Sequence, residues 1–197
     1  MRFNPADITA AILAGGEGRR LGGRDKGLQP LSGRPLIAHV VTALAAQVQN
    51  LLICANRNTA QYAAFASVCA DRTRGFHGPV AGIEAALVNC TTAWLLTVPV
   101  DCPRPPPDLS RRLYDVAHAA DAKLAVAYDG MRRQPLFAIY SRELATSALS
   151  ALNGNLPVWR WQDECGAVEV DFSDVPQGFL NLNSEEDFKL WEERELG

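Results

Sequence analysis

Short apolar runs recur along this chain, and each is followed by glycine, proline or asparagine before a segment with helical apolar spacing begins. That alternation is the rhythm of βα units built around a mainly parallel sheet. The runs predict strands at Thr9–Ala14, Leu51–Ala55, Trp94–Val98, Leu124–Tyr128, Leu136–Tyr140 and Ala167–Val170. Between them, Leu36, Val40, Leu44 and Val48 recur every four residues along one helical face, which predicts a helix over Pro35–Val48. Pro79–Val88, Asp108–Ala119 and Arg142–Leu152 read the same way. A last helix is expected from Ser184 to Arg194, because Ser184 and Asp187 form the capping pattern S-x-x-[DE] that satisfies otherwise orphaned amides of a first turn. The expected architecture is α/β in three layers, one domain over residues 1–197. A chain of that length buries a core without disulfides or structural metal. No repeat, low-complexity tract or long polar linker marks a boundary.

Composition narrows the partners. A net charge of −3, with 48% hydrophobic and 21% charged residues, belongs to a globular protein with no general attraction for nucleic acid or anionic lipid. Any phosphate must therefore be gripped by a few well-placed cations and amides, and the partner is expected to be small. The N-terminal residues lack a signal peptide's apolar region, and the run Ile8–Ala14 is too short to span a bilayer, so the expected location is the cytoplasm. Cys54, Cys69, Cys90, Cys102 and Cys165 are scattered, never as CxxC, and are read as core residues in a reducing compartment. His39, His77 and His118 have no zinc-site spacing.

The stretch richest in chemistry is Leu13–Lys26, directly after the first expected strand. Gly15, Gly16, Gly18, Gly22 and Gly23 leave backbone amides unshielded, and Arg19, Arg20 and Lys26 add the positive charge a triphosphate needs. Leu21 replaces the third glycine of GxGxxG, and no GK[ST] follows, so neither a dinucleotide fingerprint nor a Walker loop is present. On composition alone, a flexible turn remains an equal reading of the loop.

The pattern LAGGxGxR[ML]GGxDKG, here Leu13 to Gly27, is similar to the signature of the GT-A-like nucleotidyltransferases, in particular the molybdenum cofactor guanylyltransferases. Cys54-Ala55-Asn56-Arg57 resembles that family's NANR segment, Gly78-Pro79-Val80-Ala81-Gly82 its GPLAG turn, and Pro99-Val100-Asp101-Cys102-Pro103 its PCDxP segment. Gln134-Pro135 resembles its x-P turn, and Phe179–Ser184 its FxNxNTPE ending. In order and spacing these motifs cover nearly the whole chain. The resemblance implies a Rossmann-like fold of the nucleotide-diphospho-sugar transferase type. It also implies Mg²⁺ as cofactor and transfer of GMP from GTP to the terminal phosphate of molybdopterin or Mo-molybdopterin, with release of pyrophosphate. Molybdenum-insertion proteins, apo-molybdoenzymes and their chaperones are the further partners it suggests.

Carried over position by position, the resemblance assigns Asp101 to the metal and Lys26 and Arg20 to the triphosphate and departing pyrophosphate. Leu13, Ala14, Gly15, Gly16, Lys26, Cys54, Asn56, Asp71, Gly82 and Asp101 become nucleotide-binding positions. Asp101 follows an apolar run, so its carboxylate would emerge at the C-terminal end of a strand, where open α/β sheets bind ligands. A hard carboxylate oxygen suits Mg²⁺, although an Asp before prolines also simply starts turns. Asp71 can accept from the guanine edge or from ribose hydroxyls. Asn181 and Asn183 either adjoin the ion or the pterin, or are turn and cap residues. Cys54 stands where the family typically has asparagine, which matters only if that contact uses a side chain. Trp159 and Trp161 read as buried tryptophans before they read as a pterin stack. The rivals are a molybdopterin cytidylyltransferase, a sugar-phosphate nucleotidyltransferase, and a non-catalytic nucleotide or pterin carrier.

Overall fold

The computed structural model describes residues 2–16, 24–73 and 78–196. Along the chain run β1 (Ile8–Leu13), a small hairpin of β2 (Pro30–Leu31) and β3 (Arg34–Pro35), α1 (Leu36–Ala45), β4 (Asn50–Cys54), α2 (Thr59–Tyr62) and β5 (Ser67–Cys69). Next come α3 (Pro79–Asn89), β6 (Trp94–Pro99), α4 (Leu109–Ala119), β7 (Leu124–Tyr128) and β8 (Arg133–Ser141). The chain closes with α5 (Ala145–Asn153), α6 (Val158–Glu164), β9 (Val168–Asp171) and α7 (Glu185–Leu196).

Seven strands form one sheet in the order β5-β4-β1-β6-β8-β7-β9. All neighbours are parallel except β8, which runs antiparallel to both β6 and β7. Alternation along each strand sends side chains to opposite faces. Ile8, Ala10 and Ile12 of β1 pack with α1 and α4, whereas Ala11 and Leu13 pack with α3, α5 and α6. The result is the expected three-layer α/β fold with a mainly parallel sheet.

The departures from expectation have local causes. Helix α1 stops at Ala45 rather than continuing to Val48, and Gln47 turns inward. Its buried amide donates to the carbonyls of Ala43 and Pro106 and accepts from the Ser110 amide, so the chain leaves the helix to satisfy a polar tie to the start of α4. The β2–β3 hairpin, α2 and β5, each only two to four residues long, carry too little periodicity to be seen. Helix α6 is seven residues long and was not expected; it buries Val158, Trp161 and Gln162 at the i, i+3, i+4 spacing. The Gln134-Pro135 segment is not a turn but lies inside β8, where register jumps from Val126↔Ala138 to Ala127↔Gln134. This bulge accommodates the proline, which cannot donate to a ladder.

The capping pattern at Ser184 is realised. Ser184 Oγ accepts from the Asp187 amide at 3.2 Å, while Asp187 Oδ2 accepts from the Asn183 and Ser184 amides at 2.7 and 2.8 Å. The Asn183 amide is the main cause holding the Asp187 carboxyl below its ordinary range. Leu182, Phe188 and Trp191 dock this end of the chain on Leu31 and Leu36. Cys54, Cys69, Cys90 and Cys102 are buried free thiols, and Cys165 is half-buried. Among the described residues no helix is long and apolar enough to cross a membrane.

Candidate active site

Parallel pairing in register brings Leu13, Cys54, Cys69 and Pro99 level across four strands. The residues that follow them, Gly15, Asn56, Asp71 and Asp101, therefore emerge together at the C-terminal edge of the sheet. Chain order reverses direction on either side of β1, so this edge is the topological switch point where open α/β sheets hold ligands. Two bonds extend the sheet to this rim: the Ala14 amide donates to the Cys54 carbonyl at 2.9 Å, and the Val100 amide to the Leu13 carbonyl at 3.1 Å.

Lys26 is the centre of the site. Its ammonium donates to Asp101 Oδ2 at 3.0 Å and to Asn183 Oδ1 at 2.8 Å, so residues far apart in sequence converge on one cation. Asp101 and Lys26 side chains are each 20% exposed, close enough to solvent to receive a ligand yet dry enough for charge to matter. Asp101 Oδ1 and the neighbouring Asn181 Oδ1 are buried, with no hydrogen-bond partner among the described residues. The Leu182 amide donates to the Asp101 carbonyl at 2.8 Å, fixing the Asn181–Asn183 segment against Asp101.

On the β4–β5 side, Asn56 and Asp71 form a closed pair. Asn56 Nδ2 donates to Asp71 Oδ2 at 2.7 Å, and the Asp71 amide donates to Asn56 Oδ1 at 2.9 Å. Cys54 and Gly82 lie underneath rather than on the surface. The Cys54 thiol is 2% exposed, 3.4 Å from the Cys69 sulfur and 3.5 Å from the Gly82 carbonyl. Gly82 faces Leu13, Cys54 and Asp71, with Leu13 Cδ2 3.4 Å, Cys54 Cβ 3.7 Å and Asp71 Oδ1 3.9 Å from where a Cβ would stand. The side chain of Cys54 is thus turned into the core. Leu13 is half-buried, Ala14 buried and Gly16 exposed. Arg19, Arg20 and His77 lie outside the described residues.

Residues to which the sequence motifs assign no task complete the picture. Asp25 caps the short 3₁₀ turn Lys26–Leu28 and also accepts from Tyr62 and Asn58. Beyond Asp101, the bulge in β8 opens a cleft of about 230 Å³ lined by Pro99, Arg132, Gln134, Leu136, Phe137 and Asn181. Its rim is tied down at Asp129. Partial desolvation opposes ionisation there, but amides of Arg132 and Met131 and the Gln134 side chain hold the carboxyl below its ordinary range. Trp161 is buried and stacked on Tyr140, with ring centroids 5.4 Å apart, whereas Trp159 is 53% exposed. Neither lines this cleft.

A cationic loop end, a carboxylate at the switch point and an adjoining cleft mark this edge of the sheet as the candidate ligand site. Comparison with known proteins gives the family. The model of the MobA-like NTP transferase domain matches residues 10–168. Molybdenum cofactor guanylyltransferase of Shewanella halifaxensis is 41% identical over 183 residues, covering 92% of each chain. The enzyme of that name from Mannheimia succiniciproducens is 44% identical over 179 residues, covering 90% of this chain and 94% of its own. Among solved structures, molybdopterin-guanine dinucleotide biosynthesis protein A from Archaeoglobus fulgidus superposes with a TM-score of 0.80 at 23% identity, over 95% of this chain and 98% of that one. This chain belongs to the molybdenum cofactor guanylyltransferase family of MobA-like NTP transferases.

Proposed function

We propose that the protein transfers GMP from GTP to the terminal phosphate of molybdopterin or Mo-molybdopterin and releases pyrophosphate. The observation that carries this reading is Lys26, poised between Asp101 and Asn183 at the switch point beside the cleft of β8. The family membership supports the choice of nucleotide and acceptor. The acceptor needs no strong base, because a phosphomonoester with a second pKa near 6 is largely a dianion at neutral pH. The protein's work is therefore positioning and charge neutralisation.

Each group has a task in this reading. Amides at Gly15 and Gly16 and the ammonium of Lys26 hold the triphosphate, with Arg20 assisting the departing pyrophosphate. Asp71, oriented by Asn56, takes hydrogen bonds from the guanosine. The cleft beyond Asp101 takes the acceptor, and Arg132 on its rim supplies a cation for the acceptor phosphate. The orphaned oxygens of Asp101 and Asn181 are hard donors suited to Mg²⁺, which is held by one or two carboxylates and substrate phosphates rather than by a protein cage. Among the described residues no three His, Cys, Asp or Glu gather as such a cage. Bound there, the ion would neutralise phosphate charge. The water-excluding walls, Pro99, Leu136 and Phe137, would keep the acceptor from competing solvent.

Calorimetric titration with GTP, CTP, UTP and ATP in Mg²⁺ tests the nucleotide assignment. GTP should bind at least about tenfold more tightly than CTP, the discrimination expected from one or two net hydrogen bonds between half-buried Asp71 and the guanosine. Binding of CTP without binding of GTP would overturn it in favour of a cytidylyl enzyme.

A further inference from the structure

The Lys26 ammonium is useful only if the backbone that carries it stays put, and no regular element of the sheet holds Lys26. It sits in a short 3₁₀ turn between the glycine loop and the β2–β3 hairpin. What fixes that turn is a cluster formed by the Asn56–Tyr62 segment. The Asp25 carboxylate, 7% exposed, accepts from the Gly27 amide at 3.2 Å, the Tyr62 hydroxyl at 2.5 Å and Asn58 Nδ2 at 2.9 Å. Arg57 Nε stands 3.6 Å from its Oδ2. The same guanidinium reaches further: Nη2 donates to the Gly16 carbonyl at 3.3 Å and to the Arg24 carbonyl at 3.2 Å. Arg57 therefore joins the residue where the chain leaves β1 to the residue where it approaches Lys26.

We propose that Arg57 is a positioning residue, a clasp that holds Gly16, Arg24 and Asp25 together and thereby sets where Lys26 presents its charge. Two physical points argue for positioning over direct phosphate binding. Nη2 is engaged by two main-chain carbonyls and the buried Nε lies on the Asp25 side, so the guanidinium is anchored to protein. The arrangement also needs a planar fork, since one nitrogen serves two carbonyls while another faces a carboxylate; a lysine ammonium on a single stem does not reproduce it. On the far side the turn is wedged shut. A Cβ on Gly27 would clash with the Tyr62 hydroxyl and lie 2.8 Å from Val100 Cγ2, next to Asp101. The clasp thus sets the spacing between the Lys26 backbone and the Asp101 segment. Its consequence for catalysis rests on the reading of Lys26 as the triphosphate cation.

The test uses Arg57→Lys and, as a milder variant, Tyr62→Phe, which removes one hydroxyl and keeps the ring. Hydrogen exchange on the nucleotide-free protein reads the clasp itself. The Gly27, Leu28 and Gln29 amides, bonded to Asp25 Oδ1 and to the Asp25 and Lys26 carbonyls, should exchange at least about tenfold faster in Arg57→Lys, with amides of β1 and β6 unchanged. Tyr62→Phe should move the same amides by less. Steady-state transfer then reads the coupling. Arg57→Lys should lower kcat/KM for GTP by about tenfold to a hundredfold with little change in KM for the acceptor, and should cost nothing further in a Lys26→Ala background. Unchanged exchange at the three amides overturns the clasp, as does a loss of activity that adds fully to that of Lys26→Ala, because the guanidinium then acts on the phosphates directly. If exchange rises as expected while the wild-type protein transfers nothing from GTP, the clasp stands and the proposed function fails.

Discussion

Replacing Lys26 with methionine keeps most of the apolar stem of the side chain and removes the ammonium with its charge and its two hydrogen bonds. In the free protein this strips Asp101 Oδ2 and Asn183 Oδ1 of their donor while Asp101 Oδ1 already has no partner among the described residues, leaving the carboxylate bare. Fully exposed pairs contribute about 0–1 kcal/mol, and breaking a fully buried one costs about 3–5 kcal/mol. With each side chain 20% exposed the pair falls between these limits, so the loss should be about 1–3 kcal/mol. Adding Asp101→Asn should recover most of that loss, because an amide tolerates the missing cation. The effect on the reaction should be larger: one preorganised charge removed from a developing anion typically costs about 10²- to 10³-fold in rate, or about 2.7–4 kcal/mol. Urea unfolding read by circular dichroism measures the first quantity, and pyrophosphate release at saturating GTP measures the second. A methionine variant that is destabilised as expected yet keeps its rate within about threefold would refute the assignment of Lys26 to the triphosphate.

Three further outcomes follow from packing and titration. Gly27→Ala drives a methyl into Tyr62 and Val100, which should cost about 1–3 kcal/mol and lower the melting temperature by about 3–10 °C in a scanning-calorimetry trace. Trp161→Ala removes a buried ring stacked on Tyr140 and a 3.0 Å bond to Ser147 Oγ, for a loss of about 3–5 kcal/mol in denaturant titration, whereas Trp159→Ala at the exposed position of the same helix should change stability by no more than about 0.5 kcal/mol. The Asp187 carboxyl is held below its ordinary range chiefly by the Asn183 amide, so its contribution is present above the unfolded-state value of about 4 and is lost as pH falls further. Urea midpoints measured from pH 6 to pH 3 should therefore fall more steeply for wild type than for Asp187→Asn.

Much of the fold could be read from the chain because its strands are buried on both faces and stand out as apolar runs. The ends of β1, β4 and β6 fall within a residue of expectation, and β7 matches it at both ends. What escaped was either too short for periodicity, as in β5 and α2, or tertiary in origin, as in the polar tie of Gln47 that ends α1. The bulge that turns Gln134-Pro135 into a cleft wall depends on antiparallel pairing of β8 with its neighbours, which no local pattern encodes. At the site, glycines, Lys26 and Asp101 were recognisable by type and spacing. Their convergence with Asn183 was not, because it is produced by the sheet order and by the docking of the chain's last segment. Asp25 and Arg57 stood inside the glycine-loop and NANR-like motifs without being given a task, and Tyr62 carried no signal at all; Asp25 in front of a lysine at a turn is a capping residue, and that was the clue to its role. Cys54 attracted notice for an unusual side chain that proves to be turned into the core.

The central claim is that this site joins a guanosine nucleotide to a phosphorylated pterin through chemistry organised around Lys26 and Asp101. Purified protein incubated with GTP labelled at the α-phosphate, molybdopterin and Mg²⁺, with products separated by chromatography, tests it most directly. The account predicts label in a guanine dinucleotide of the pterin, equimolar pyrophosphate, and a loss of at least about a hundredfold in Asp101→Asn. Absence of labelled dinucleotide with GTP, or its undiminished formation by Asp101→Asn, would contradict it.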